Sequence, residues 1–156
     1  MRNRLRILAF VTLACLSVGA ALAATPATPA ASADAASATE AEQRVVFHVD
    51  DVTSTRDALN NILSQLSASP NSRIVFLANG RGIYSLVKGE SDHQGEYGST
   101  IAELQARGVR FEACGTAMRK NNILNSDLLP NVAVVPSGVV ELTRLQTVEH
   151  YAYIKP

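Results

Sequence analysis

VRFEACGTAMR, residues 109–119, decides the fold. Val109, Phe111 and Ala113 read as a buried strand, Cys114 ends it, and Gly115 opens a helix. That is one strand-to-helix step of an α/β protein, whose ligands and chemistry gather at the carboxyl ends of strands. The amides of the helical turn that follows, Gly115–Ala117, are expected to favour an anionic sulfur at Cys114. Cys114 is therefore the foremost candidate for chemistry. The plain alternative is a small, inert, buried side chain.

The same step recurs along the chain. Upstream, RVVFHV (Arg44–Val49) is a strand broken by Asp50-Asp51. Ser54 and Asp57 have the spacing of a capping box. The helix after them puts Leu59, Ile62, Leu63 and Leu66 on one face and closes near Pro70. RIVFLA (Arg73–Ala78) is nearly continuous in apolar residues, the pattern of a parallel strand buried on both sides. Asn79-Gly80-Arg81-Gly82 turns into a short helix at Ile83–Val87. Lys88–Gly95 is polar and reads as a mobile loop. Tyr97–Arg107 is a helix that Gly108 stops at the usual glycine position.

Downstream, Thr116–Asn122 is a short helical segment, and Val132–Val135 is a strand ended by Pro136. Ser137 is placed to cap a helix over Gly138–Glu149, with Val139, Leu142 and Leu145 apolar. Tyr151–Ile154 alternates as an edge strand does. Strand and helix alternate with short connections, so the expected fold is a three-layer α/β/α sandwich on a mostly parallel five-stranded sheet.

Not all 156 residues belong to that fold. Arg2, Arg4 and Arg6, the apolar run Ile7–Ala20 and the small-x-small Ala21-Leu22-Ala23 make a secretory signal peptide over residues 1–23. Residues 24–42 are almost all Ala, Thr, Pro and Ser and read as a disordered linker. The folded domain is expected over 43–156. The protein is then exported, periplasmic where the host has an outer membrane, with no membrane association after cleavage. Removing the three arginines leaves 11 basic residues against 14 acidic ones, a net charge of about −3. A chain of that sign, without tryptophan or a basic run, does not fit nucleic acid.

Cleavage would also remove Cys15, leaving Cys114 without an intramolecular partner. Around it, the strand ends supply a candidate ligand crevice: Asp50 after the first strand, Asn79 and Gly80 after the second, Tyr97 at a helix start, and Gly115 and Arg119 beyond the cysteine. His93, in the polar loop, is a candidate acid or base. The three histidines are too scattered for a metal site. No G-x-S-x-G, P-loop or C-x-x-C occurs.

FEACGTAMRKNNI (Phe111–Ile123), VVPSGVVELTRLQ (Val134–Gln146) and the closing YAYIKP (Tyr151–Pro156) resemble the DsrE/DsrF-like family. RVVFHVDD and RIVFLANGRGI fit it too, so the resemblance spans about Arg44–Pro156. It implies a flavodoxin-like sandwich that assembles as homotrimers or hexamers. It also implies sulfur carried as a persulfide on one cysteine, here Cys114, passed to a partner protein's thiol without any metal or organic cofactor. Two other readings use the same residues. One is an oligomeric binding module whose crevice takes a small ligand or protein while Cys114 stays inert. The other is a redox-sensing thiol that pairs between subunits.

Overall fold

The computed structural model describes residues 42–156; the signal-peptide expectation and nearly all of the linker expectation lie outside them. Five strands form the main sheet: β1 (Arg44–Val49), β2 (Arg73–Ala78), and, after a small hairpin of β3 (Ser91–Asp92) and β4 (Gly95–Glu96), β5 (Arg110–Cys114), β6 (Ala133–Val135) and β7 (Ala152–Ile154). Their order is β6-β5-β2-β1-β7, and every neighbouring pair is parallel. The helices are α1 (Thr55–Ala68), α2 (Tyr97–Ala106), α3 (Gly115–Lys120) and α4 (Gly138–Thr147). The fold is the α/β/α sandwich of flavodoxin-like kind that the alternation predicts, with β7 and β6 at the two edges.

Strand order dictates the layers. From β1 to β2, β5 and β6 the chain always moves in one direction across the sheet, so right-handed crossovers put α1, α2 and α3 on one face. The last connection runs back from β6 to β7, beyond β1, and that reversal throws α4 onto the other face. The core divides accordingly. Val45, Phe47 and Val49 of β1, Ile74, Phe76 and Ala78 of β2, and Phe111 and Ala113 of β5 pack against Leu59, Ile62, Ile101, Leu104 and Met118. The alternate residues Val46, Val75 and Leu77 pack under Leu142, Leu145 and Tyr151. Phe76 and Phe111 meet with ring centroids 5.1 Å apart. Each is fully buried, worth about 2–3 kcal/mol in area removed from water.

Helix ends agree with the sequence in one case and depart from it in two. After α2, Gly108 sits at φ +89°, its N–H donates to the Gln105 carbonyl, and the Val109 N–H donates to Leu104. That is the paired closure a C′ glycine permits. The capping box expected at Ser54 does not form. A 3-10 turn over Val52–Ser54 precedes α1, and Asp51 caps it by accepting from the Thr53 N–H at 3.0 Å. Ser54 is already inside that turn, and its hydroxyl donates back to the Asp51 carbonyl. Ser137 likewise makes no side-chain cap on α4, and Val139, one of the apolar residues of that helix, is 65% exposed.

The polar stretch expected to be mobile is instead built. Its hairpin is gripped by α1: Arg56 donates to both carboxylate oxygens of Asp92 at 2.9 Å and to the Gly95 carbonyl at 2.9 Å. The Arg56 guanidinium also lies 5.0 Å from the Tyr97 ring centroid. The 3-10 segment Gly80–Leu86 replaces the short helix expected at Ile83–Val87.

Candidate functional site

The turns after β5 and β6 part company. β5 leads into α3 on the first face, while β6 leads into α4 on the second. Two neighbouring parallel strands whose connections leave to opposite faces open a crevice between their carboxyl ends. Cys114 is the last residue of β5, and Ser137-Gly138 begins α4 just after β6.

There the Gly138 N–H donates to Cys114 Sγ at 3.1 Å. The sequence reading places the supporting amides on α3, and the structure corrects that: Cys114 stands at the N-cap of α3, but its side chain makes no bond to it. The sulfur turns toward the amino end of α4, where the helix dipole is positive. A side chain at 138 would be tight. A Cβ there would lie 3.1 Å from Cys114 Cβ, 3.1 Å from Asn79 Cβ and 3.2 Å from Leu77 Cδ2. Cys114 is the free cysteine of the described residues and is 6% exposed.

A cavity of about 300 Å³ opens onto the sulfur. Asn79, Gly80 and Arg81 form one wall, Thr116, Lys120 and Asn121 another, and Ser137 and Val139 the third. Two side chains of the second wall are hydrogen-bonded in place. Thr116 Oγ1 donates to the Pro136 carbonyl at 3.1 Å, and Asn121 Nδ2 donates to the Ala117 carbonyl at 2.8 Å. Arg81 and Lys120 are exposed and make no ion pair among the described residues.

The expected site residues separate into two groups. Cys114, Asn79 and Gly80 come together. Asp50 instead pairs with Lys155 at 2.6 Å, beyond β7, and that ammonium holds its carboxyl below the usual range. Tyr97 is buried under Arg56, and His93 is in the hairpin beside Gln94; neither lines the cavity. Gly115 and Arg119 line a neighbouring hollow, with Arg119 donating to Thr116 Oγ1 at 3.1 Å. One residue further along α3, Lys120 takes the place expected of Arg119, because a helix turns about 100° per residue.

The glycines of the loop Asn79-Gly80-Arg81-Gly82 serve the fold rather than a ligand. A Cβ on Gly82 would stand 2.1 Å from the Val49 carbonyl oxygen, and Gly80 sits at φ +50° against the Asp50 carbonyl. The loop lies directly on the end of β1, and the Gly82 N–H donates to the Asp50 carbonyl at 3.0 Å.

Sequence reasoning missed Gly138, Ser137 and Arg81 as parts of the site. The Ser-Gly step after the fourth strand was the available signal, but it points to Cys114 only once β6 is known to lie beside β5.

Elsewhere on the α4 face, Glu112 is buried with Oε2 lacking a hydrogen-bond partner and Arg110 3.5 Å away. Burial pushes its carboxyl up, with Arg110 partly opposing. Among the described residues no three His, Cys, Asp or Glu side chains gather as a metal site requires, and no helix is long and apolar enough to cross a membrane.

A family model described as DsrE/DsrF-like matches residues 23–156. Among solved structures, MTH1491 from Methanobacterium thermoautotrophicum, a protein of unknown function, is 35% identical. The match covers 74% of this chain and all of that one, with a TM-score of 0.65. The ychN protein from E. coli is 15% identical over 73% of this chain and 99% of its own, with a TM-score of 0.63, a likeness of fold. No curated protein matches.

Proposed function

The chain belongs to the DsrE/DsrF-like family, and from that premise we propose that it is a sulfur carrier, holding sulfane sulfur as a persulfide on Cys114. One observation carries the reading: the family's fold puts the described chain's free cysteine at the switch-point crevice, with a backbone N–H on its sulfur. In loading, the Cys114 thiolate attacks the sulfane sulfur of a donor, and the donor's remainder leaves with the bonding pair. In discharge, an acceptor thiolate attacks the outer sulfur and Cys114 leaves as thiolate. Both steps need negative charge on Cys114 Sγ, and the Gly138 N–H is aimed at it.

The test is intact mass before and after incubation with polysulfide. One added sulfur, removable by reductant and absent from Cys114→Ser, is the expected result. A Cys114→Ser variant that gains the same sulfur would sink the assignment.

The 6% exposure of Cys114 favours a second reading, a binding module with an inert thiol. Alkylation of native protein no faster than its global unfolding would select it. As part of the first reading, the domain works as a homo-oligomer outside the cytoplasm. Leu124, Val134, Val140 and Val148, exposed and apolar, support the assembly. The basic and apolar pattern of residues 1–23 supports export.

A further inference from the structure

We propose that the Cys114 crevice selects a small anionic sulfane donor of the thiosulfate class. This rests on the carrier reading above and adds the identity of the donor. Four observations bring it about. The cavity, about 300 Å³, is at the small end of the roughly 300–1,000 Å³ typical of small-molecule pockets. Its walls carry two cations, Arg81 and Lys120, with no carboxylate among the lining residues. The Ser137 hydroxyl, released from capping, lines the same space. Cys114, nine-tenths buried, lies in its wall and accepts from Gly138.

The chemistry balances without an added oxidant or reductant. The Cys114 thiolate attacks the outer, sulfane sulfur of thiosulfate. A new sulfur–sulfur bond forms to Cys114, the bond to the sulfonate sulfur breaks, and sulfite leaves with the electron pair. A thiolate and a dianion become a persulfide anion and a dianion. Mutual repulsion makes that encounter slow in water, and two cations lining the same cavity reduce the obstacle while holding the sulfonate oxygens. An uncharged thiol reagent gains nothing from either.

Full-length mature protein is incubated with thiosulfate, with polysulfide and with iodoacetamide, following added mass at Cys114 and sulfite released. The wild type should gain one sulfur per sulfite. Arg81→Gln with Lys120→Gln should slow thiosulfate loading at least tenfold relative to alkylation by iodoacetamide, and Lys120→Arg should restore part of it. If polysulfide loads Cys114 while thiosulfate does not, or if the double variant loads from thiosulfate at the wild-type relative rate, the donor assignment is overturned and the carrier reading stands. If a neutral persulfide peptide loads and thiosulfate does not, the donor is a protein. If no donor loads Cys114, both fail.

Discussion

The Gly138 N–H reaches Cys114 Sγ at 3.1 Å across twenty-four residues of chain. The contact ties the ends of two neighbouring strands, and a Cβ on Gly138 would press on Cys114, Asn79 and Leu77 at 3.1–3.2 Å. Gly138→Ala should therefore push the start of α4 off the sulfur. We expect a stability loss of about 1–3 kcal/mol, the cost of overpacking a tight site. Sulfur loading at Cys114 should slow as well. Thermal melts and timed intact mass read the two effects separately, and unchanged loading in a folded variant would mean that the N–H is not used.

Gly82 is the most demanding glycine among the described residues. Gly82→Ala has to move the Val49 carbonyl, 2.1 Å from the new Cβ, or lift the whole Asn79–Gly82 loop. A loss above about 3 kcal/mol is expected in urea unfolding. Gly89→Ala is the internal comparison. Its φ of +80° is strained for alanine, but nothing lies within 4 Å, so about 1–2 kcal/mol is expected. Equal losses at the two positions would show that backbone conformation, not the close approach, sets the requirement.

The Arg56–Asp92 clamp makes the hairpin sensitive to acid. Arg56 donates to both carboxylate oxygens and holds the Asp92 carboxyl down, from an ordinary 3.8 to about 2. A depressed carboxyl contributes its stability above the unfolded value and loses it as pH falls through the folded one. The wild type should therefore lose stability relative to Asp92→Asn between about pH 4 and pH 2. Parallel urea midpoints across that window would refute the clamp. Arg56→Lys should behave like a partial loss, because an ammonium cannot make the paired contact.

Glu112 runs the opposite way. Burial raises its carboxyl, so the stability linked to it is present below the unfolded value and lost as pH rises through the folded one. Glu112→Gln should be the more stable form at neutral pH, by about 1 kcal/mol, the scale of one unsatisfied buried polar group. The advantage should shrink toward pH 4. A destabilised Glu112→Gln at pH 7 would reveal a partner for the Oε2 carboxylate oxygen.

Local pattern was enough for the sheet and its layers. The nearly continuous apolar run of RIVFLA, short and rich in β-branched and aromatic residues, reads as a strand covered on both sides, and it is the middle strand of five. The i, i+3, i+4, i+7 stripe of Leu59, Ile62, Leu63 and Leu66 could only be one face of a helix. Side-chain alternation and helical period act within a few residues, so they can be read without knowing neighbours. The same locality leaves Val139 undecided: its apolar character fits the α4 stripe, while its position at the helix start leaves it exposed over the crevice.

The sequence by itself determined the class of fold, the placement of Cys114 at the end of a strand, and the glycine closure of α2 at Gly108. Only tertiary structure decided what surrounds the sulfur. Strand order is a long-range choice, set by which connection reverses across the sheet. That reversal, after β6, brings Gly138 and Ser137 to Cys114. Asp50 is left with Lys155, Tyr97 with Arg56, and His93 in the clamped hairpin. Residues equally near strand ends in the sequence are thus sorted into a crevice and its periphery by the packing of parallel strands, which no local period records.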